Sequence, residues 1–406
     1  MYKKNKYDHK KIGKKLNLFF FYKNLNNGLP IWLPNGTYIY NKIKNIIKLI
    51  NIKYEYKEVI TPYIGNYSLY KKSGHLDKYN NKIFKLRNKK KYYLKPMNCP
   101  YHCLIYNFFN NISYKKLPIK YFEFGTVFRN ENSGELNGLF RTRVFTQDDG
   151  HIFCRNIKDV VKEINKIINI ILKIYSFFNF KSFLIKLSLR DKVNNREKYI
   201  GKNKYWEISE KILINIILKK KIKYEIIYGD AAFYGPKIDF IIKDTLNRDW
   251  QLSTIQIDYN TPKRFNLTYY NNNNKVLYPI MIHRAFIGSI ERFIGILIEH
   301  NKGKLPIYLH KIQLVILPIY KTHYKYCEKI YFFCKQKKIR CIIDKSKLNL
   351  NIKIKKYDKL NIPIILIIGD KEVYEKKIVI RKSSKKNIIL NLKEAYKYIL
   401  KYIYNN

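Results

Sequence analysis

The stretch from Glu123 to Cys154, EFGTVFRNENSGELNGLFRTRVFTQDDGHIFC, constrains the fold of this chain more than any other. Two runs, YFEFGTVFRNE and LFRTRVFTQDDGHIFC, alternate apolar and polar residues, and the connecting NSGELNG carries the small and polar residues of a turn. A period of two sends successive side chains to opposite faces of a ribbon, so the pattern predicts an antiparallel strand–loop–strand unit. With both runs extended throughout, Arg129 and Glu131 share one face, and Arg141 and Arg143 share one face of the returning strand. Such an array suits phosphate, because each guanidinium offers a planar fork of donors. A solvated hairpin with surface charges is the plainer reading of any one hairpin, but QDDGH directly behind these residues weighs against it.

The 406 residues suffice for two cores. A helix is predicted over TYIYNKIKNIIKLIN, and a strand over YEYKEVITPYIG that ends at Pro62. SLYKKSGHLDKYNNKIF reads as a helix running into a loop, and KYYLKPMNCPYHCLIYNFF as a strand, a Pro-bounded turn and a helix start. After the central hairpin comes a long amphipathic helix, IKDVVKEINKIINIILKIYSFF. Strands KSFLIKLSLR, YEIIYG, KIDFIIKD and WQLSTIQIDY follow, with a helix near 204–220. YPIMIHR is a further strand, running straight into the helix AFIGSIERFIGILIEH. From about 308 the texture changes to short apolar strands (QLVILPI, IRCIID, IPIILIIGD, KIVIR) among helical patterns, which predicts a separate small α/β domain.

Composition bounds the partners. Lys and Arg number 81 against 30 Asp and Glu, a net charge of +51 that suits a polyanion such as RNA. Lys, Asn, Ile, Tyr and Phe also have A/T-rich codons, so genome bias generates the same charge without selection for binding. The six cysteines form no tight paired framework, which fits a reducing compartment and one metal ligand among them. LNLFFFY and IPIILII are too short to span a bilayer, and the basic N-terminus has no apolar core with a small-residue cleavage site; a cytoplasmic protein is expected.

Three places offer metal ligands: Cys99 with His102 and Cys103, His151 with Cys154, and His283 at the end of a strand. Each alone is more often ordinary packing; three ligands from different segments with one open position would suit a catalytic or substrate-binding zinc. In FYGPKIDF a Gly-Pro turn aims Tyr234 and Lys237. In DWQLSTIQIDY, Gln251, Ser253 and Ile255 share one face and Leu252, Thr254 and Gln256 the other, so Gln251 and Gln256 point apart unless the strand bulges. In HRAFIGSIERF, Arg284 and Arg292 are eight apart and are expected on one helical face, with Gly288 and Ser289 allowing close approach to a triphosphate.

With these residues in hand, the chain resembles the threonyl-tRNA synthetases, class II aminoacyl-tRNA synthetases, from about Asp8 to the C-terminus. The segments that carry the likeness are DHKKIGKKL, SGHLDKYNNKIF, LKPMNCPYH, FRNENSGELNGLFRTRVFTQDDGHIFC, YGPKIDF, QLSTIQIDY, MIHRAFIGSIERFIGILIEH and IIGDKEV. The resemblance implies an α+β catalytic domain, an antiparallel sheet flanked by helices, over 1–305. A small α/β anticodon-binding domain over 306–406 follows it. It implies threonine–tRNA ligase activity: L-threonine is activated with ATP, leaving pyrophosphate and then AMP, and passed to the 3′ end of tRNA(Thr). Carried over residue by residue, Cys99, His151 and His283 match three ligands of one Zn2+ per subunit, which holds the substrate's amino group and hydroxyl. Met97, Gln147, Asp149, Tyr234 and Gln256 match the threonine site. Arg129, Glu131, Arg141, Lys237, Gln251, Ser289 and Arg292 match the ATP site, with Arg129, Lys237 and Arg292 as the catalytic charges, and Mg2+ accompanies the ATP. A homodimer is implied by the resemblance alone.

Where the sequence departs from the family pattern, Tyr101 stands in place of a glycine and Gly150 in place of an alanine. Tyr101 either narrows the entrance or points outward. The chain begins almost at the core, so cis-editing is expected to be absent, and serine differs from threonine by one methyl, worth only ~1–3 kcal/mol. Two alternatives stand beside this reading: a catalytically inactive synthetase-like RNA-binding protein, and another class II enzyme for prolyl or seryl transfer. Intact arginines and ligand positions argue against the first, and the Cys-His-His set against the second.

Overall fold

The computed structural model describes residues 7–22, 28–86, 91–191, 193, 196–382 and 387–404. LNNGLPIWLPNG, residues 25–36, reads as a loop, and its first residues lie outside those described. Two compact units emerge, one of residues 21–30 and 43–297, the other of residues 1–20, 31–42 and 298–406.

The first unit is built on an eight-stranded sheet. Its strands in chain order are β1 (Lys57–Glu58), β2 (Ile119–Phe128), β3 (Val144–Cys154), β4 (Leu184–Leu189), β5 (Tyr224–Tyr228), β6 (Lys237–Lys243), β7 (Asp249–Asp258) and β8 (Ile280–Ala285). They lie in the order β1-β2-β3-β8-β7-β6-β4-β5. The six central strands are antiparallel, and each edge strand joins in parallel. The strand expected over 54–62 shrinks to the two residues of β1, because the chain leaves the sheet edge after Val59, whose N–H still donates to the Phe122 carbonyl at 2.9 Å.

Helix α1 (Pro34–Lys53) and helix α2 (Cys99–Phe108) form where the spacing of apolar residues predicts them. Helix α3 (Ile157–Phe177) starts at Asn156, whose side chain accepts the backbone N–H of Asp159. Its buried stripe, with Val160, Ile164, Ile167, Ile168, Ile171 and Ile174, recurs at three and four residues and lies along β3, β7 and β8. Helix α4 (Asn203–Lys220) follows β4 in the chain. The other sheet face is left for polar side chains, and the site is built on it.

Two expectations of local geometry are corrected. The hairpin strands stop at Phe128 and resume at Val144, so Arg129, Glu131, Arg141 and Arg143 sit in the connecting loop, not on strand faces. The loop folds on itself and pairs its own charges, Arg141 with Glu131 at 2.8 Å. Arg129 N–H donates to Arg143 C=O at 2.8 Å, and a short 3-10 turn spans Ser133–Glu135.

Arg284 is the second correction. It belongs to β8, and the helix α5 (Ile290–His300) begins only after a loop, so Arg284 and Arg292 share no helical face. Arg284 is buried and donates to Asp148 Oδ1 at 2.7 Å, with the rings of Tyr56 and Phe286 at 4.4 and 4.0 Å from its guanidinium carbon. A Cβ on Gly150 would come within 2.3 Å of that guanidinium, so the glycine in place of alanine leaves the space the arginine fills.

Asp148 also accepts the backbone N–H groups of Phe286 (2.8 Å) and Ile287 (3.3 Å), which fixes the loop leading into α5. In that loop Gly288 has φ +66 and presses against the Leu252 carbonyl, a conformation and an approach that a side chain would resist. Asp148→Asn is expected to destabilise the protein by about 3–5 kcal/mol, because it strips the counter-charge from a buried guanidinium. Equilibrium urea unfolding measures this.

The second unit contains a five-stranded sheet of β9 (Leu314–Pro318), β10 (Cys341–Ile343), β11 (Ile364–Ile368), β12 (Lys377–Lys382) and β13 (Asn387–Asn391), ordered β10-β9-β11-β12-β13. The first three are parallel and the last two antiparallel. Helices α6 (Tyr324–Gln336) and α8 (Leu392–Tyr404) cover one face with Cys327, Ile330, Ala395 and Ile399. Helix α7 (Leu350–Lys359) covers the other face through Tyr357. This is the small α/β domain expected from residue 308 onward; α7 and β13 are not among the elements the sequence predicts, α7 because Lys occupies most of its turns.

Candidate active site

Antiparallel pairing brings opposite residues onto one face, and here it lays the site out in rows. One row runs Tyr121–His151–His283–Gln256–Lys237–Ser188 across six strands. A neighbouring row holds Glu123 and Asp149, then Ala285, Thr254 and Asp239. Along β3 the same face carries Phe145, Gln147, Asp149 and His151, every second residue.

The β6–β7 register shifts between Phe240 and Ile241, so that Ile241 pairs with Gln251 while Phe240 pairs with Ser253. The extra residue is the bulge that the sequence requires if both glutamines are to face one way. As a result Gln251 Nε2 and Thr254 Oγ1 both donate to Asp239 Oδ1, at 2.6 and 2.7 Å, and Gln256 Nε2 donates to Thr254 Oγ1 at 3.2 Å. Tyr234 O–H donates to Gln256 Oε1, and its ring stacks on His283 with centroids 4.7 Å apart.

These groups line a cavity of about 610 Å3. Of the residues singled out in the sequence, Met97, Arg129, Glu131, Arg141, Gln147, Tyr234, Lys237, Gln251, Gln256, Ser289 and Arg292 lie on its wall. Asp149 stands just behind, accepting from Asn98 Nδ2 at 2.9 Å, with its own Oδ1 3.8 Å from His151 Nε2. Burial pushes the Asp149 carboxyl above its usual range. Tyr101 does not reach the cavity: it donates to the Ile64 carbonyl at 2.6 Å and therefore does not narrow the entrance.

One end of the cavity is cationic. Arg292 Nε and Nη1 donate to the Phe140 and Gln251 carbonyls, both at 2.8 Å, with Trp250 against the guanidinium at 5.5 Å. Burial, then the charges of Arg129 and Arg141, lowers the Arg292 pKa to about 10. Three guanidiniums that repel one another across a cavity form a place where a polyanion is strongly favoured. Arg129 lies over the Phe145 ring at 5.0 Å, and Arg141 is held by Glu131 at 2.8 Å and Glu135 at 3.2 Å. Burial opposes the charge on Lys237, but Asp239 at 2.7 Å and Asp230 at 3.1 Å outweigh it and raise its pKa.

Behind the cavity wall, against Tyr234 and Gln256, lie Cys99, His151 and His283, all buried, with one ligand atom of each within 4.8 Å of the others. Cys99 opens α2, while the histidines are a directly paired rung of β3 and β8. His151 Nε2 and His283 Nδ1 lie 3.1 Å apart, near the roughly 3.3 Å of two nitrogens on a tetrahedral zinc. The outward nitrogens are engaged: His151 Nδ1 by His102 at 2.7 Å and His283 Nε2 by Asp258 at 3.0 Å. Burial lowers the pKa of His151, the neutral form a metal needs. Burial and then Asp149 push the Cys99 thiol well up, so that a bound cation would have to draw out the thiolate. The donor set fits zinc. His102, Cys103 and Cys154, the other candidates, are not in this cluster.

Sequence reasoning missed several wall residues. Phe145 was signalled by the period of two that runs back from Asp149, and Thr254 by the same period from Gln256; Asp239, behind the wall, shares a face with Lys237 two residues before it. Phe140 and Trp250 also line the cavity. His75, from the SGH segment, places Nε2 2.8 Å from Met97 Sδ and 3.7 Å from Cys99 Sγ, and burial lowers its pKa to about 3.

Comparison with known proteins follows this geometry. Residues 82–301 match the tRNA synthetase class II core domain (G, H, P, S and T), and residues 313–402 match an anticodon binding domain. A threonine–tRNA ligase from Azobacteroides pseudotrichonymphae is 46% identical over 99% of this chain and 62% of its own length. One from Bacteroides fragilis is 47% identical over 93% and 58%. The chain thus spans about three fifths of these curated relatives. The crystal structure of the RNA binding domain of threonyl-tRNA synthetase from Cryptosporidium parvum superposes with a TM-score of 0.87 at 35% identity, covering 97% of this chain and 98% of that one. Among the described residues no helix is long and apolar enough to cross a membrane. The rows of polar residues on one sheet face, the bulged strand that aligns them and these matches together place the chain in the threonyl-tRNA synthetase family of class II tRNA synthetases.

Proposed function

We propose that this chain is a threonine–tRNA ligase, which joins L-threonine to ATP as threonyl-adenylate and passes it to the 3′ end of tRNA(Thr). The observation that carries the reading is a cavity lined by arginines whose Tyr234–Gln256 wall backs directly onto the buried Cys99–His151–His283 cluster. Residues 1–305 would supply the reaction and residues 306–406 the anticodon contacts, with a second copy of the chain as partner.

In this reading Arg129, Lys237 and Arg292 hold the triphosphate, and Glu131, Arg141, Gln251 and Ser289 complete the nucleotide site, with Mg2+ on the phosphates. The apolar walls of Phe140, Phe145 and Trp250 suit a flat base. Met97, Gln147, Asp149, Tyr234 and Gln256 orient threonine so that a carboxylate oxygen meets the α-phosphorus as pyrophosphate departs on the far side. Catalysis is then positioning and charge stabilisation, with no protein nucleophile. Zinc on Cys99, His151 and His283 would supply a Lewis acid for the substrate's amine and hydroxyl, a contact that valine cannot make.

ATP–pyrophosphate exchange with threonine, serine and valine, before and after zinc chelation, tests this. Zinc-dependent exchange with threonine, weaker with serine and absent with valine, is the expected result. No exchange by folded, zinc-loaded protein would overturn it in favour of an RNA-binding protein. Thr254→Val cuts the Asp239–Thr254–Gln256 chain without changing shape. It removes both hydrogen bonds of the Thr254 hydroxyl, and losing the one that steadies Gln256 is expected to raise KM for threonine by about 2–10-fold, while Gln251 keeps its bond to Asp239 and KM for ATP stays the same.

A further inference from the structure

The two histidines of the Cys99–His151–His283 set are held by different chemistries. His283 meets a carboxylate, Asp258, which itself accepts the backbone N–H groups of Asn260 at 2.7 Å and Thr261 at 2.9 Å. His151 meets another imidazole. His102 lies on α2, three residues beyond Cys99, fully buried and off the cavity wall, with its ring at 87° to that of His151 and Nδ1 2.7 Å from Nδ1. The far nitrogen of His102, Nε2, faces Glu123 Oε1 at 3.5 Å. Glu123 is fixed in turn by Thr61, through its N–H at 3.1 Å and its hydroxyl at 2.8 Å, and has Lys95 Nζ 3.5 Å away.

We propose that His102 is a positioning residue for the metal, accepting the Nδ1–H of His151 so that His151 keeps Nε2 bare and aimed beside His283. The inference rests on the zinc reading above. A neutral imidazole carries one proton, and a ligating nitrogen must be free of it. With Nε2 turned to His283, the His151 proton sits on Nδ1, and a 2.7 Å contact there requires an acceptor. His102 Nδ1 is that acceptor, which places the proton of His102 on Nε2, toward Glu123. An imidazole at this position does what Asp258 does for His283 without adding another carboxylate beside Cys99 and Asp149.

The test is zinc affinity of the full chain, by competition with a chromophoric chelator, together with the absorption spectrum of the cobalt(II)-loaded protein. His102→Leu is expected to bind zinc about 10–100-fold more weakly, whereas His102→Asn, whose side-chain oxygen replaces the Nδ1 acceptor, stays within ~3-fold of the parent. The cobalt spectrum should change in the first and persist in the second. Melting of the metal-free proteins checks the fold, and His102→Met replaces His102→Leu if the latter does not fold. Equal zinc affinity of the apolar variant and the parent would overturn the proposal. So would an asparagine variant as weak as the apolar one, which would mark the effect as packing. A parent chain that binds no zinc would overturn the metal reading itself, and this inference with it.

Discussion

Stripping zinc from the protein, or replacing Cys99 by Ser, is expected to lower kcat/KM for threonine activation on the order of 10³-fold or more, since a Lewis acid contributes several kcal/mol. The loss should fall on threonine and spare nucleotide binding, because the arginines line the cavity while the Cys99–His151–His283 cluster lies behind its Tyr234–Gln256 wall. KM for ATP, or ATP affinity measured directly, is therefore the control. Re-addition of zinc should restore the chelated parent and leave the Cys99→Ser protein impaired. The same treatment should erase the preference for threonine over valine, which in this reading rests on a hydroxyl meeting a metal. Exchange that is indifferent to chelation would remove zinc from the mechanism while leaving the arginine end untouched.

Arg292→Ala is expected to cost about 10²–10³ in kcat, the scale seen when one preorganised group facing developing charge is removed. Its guanidinium is held by two backbone carbonyls and one indole ring, so it stays in place without a ligand. Arg292→Lys should recover little, since an ammonium cannot replace a fork that bonds two carbonyls and still faces the cavity. The fold should tolerate the change: burial, with Arg129 and Arg141 nearby, already disfavours the Arg292 charge in the empty cavity, and removal relieves that repulsion. Thermal melting should accordingly show a smaller stabilisation by ATP in the variant than in the parent. Unchanged kcat would move the triphosphate away from this end of the cavity.

Much of the site was legible before any coordinates. The QDDGH run behind the hairpin arginines marked Gln147, Asp149 and His151 as candidates, and periodicity located α1, α3 and most strands of both units. Such patterns are local: a pleat repeats every two residues and a helix every 3.6, whatever surrounds them. The same rule failed for Arg129 and Arg141, which lie in the loop between the strands, where Arg141 pairs with Glu131. It failed also for Arg284, expected on a helical face with Arg292 but held in β8 by a buried partner, Asp148, and two aromatic rings.

The sequence by itself determined which residues could do chemistry and which of them share a strand face. Only the tertiary structure decided which faces meet. His151 and His283 are 132 residues apart and become a pair through the β3–β8 register. Gln251 joins Gln256 only because β7 takes one extra residue against β6. Register between strands is set by the packing of the whole sheet and its covering helix, and no local period encodes it.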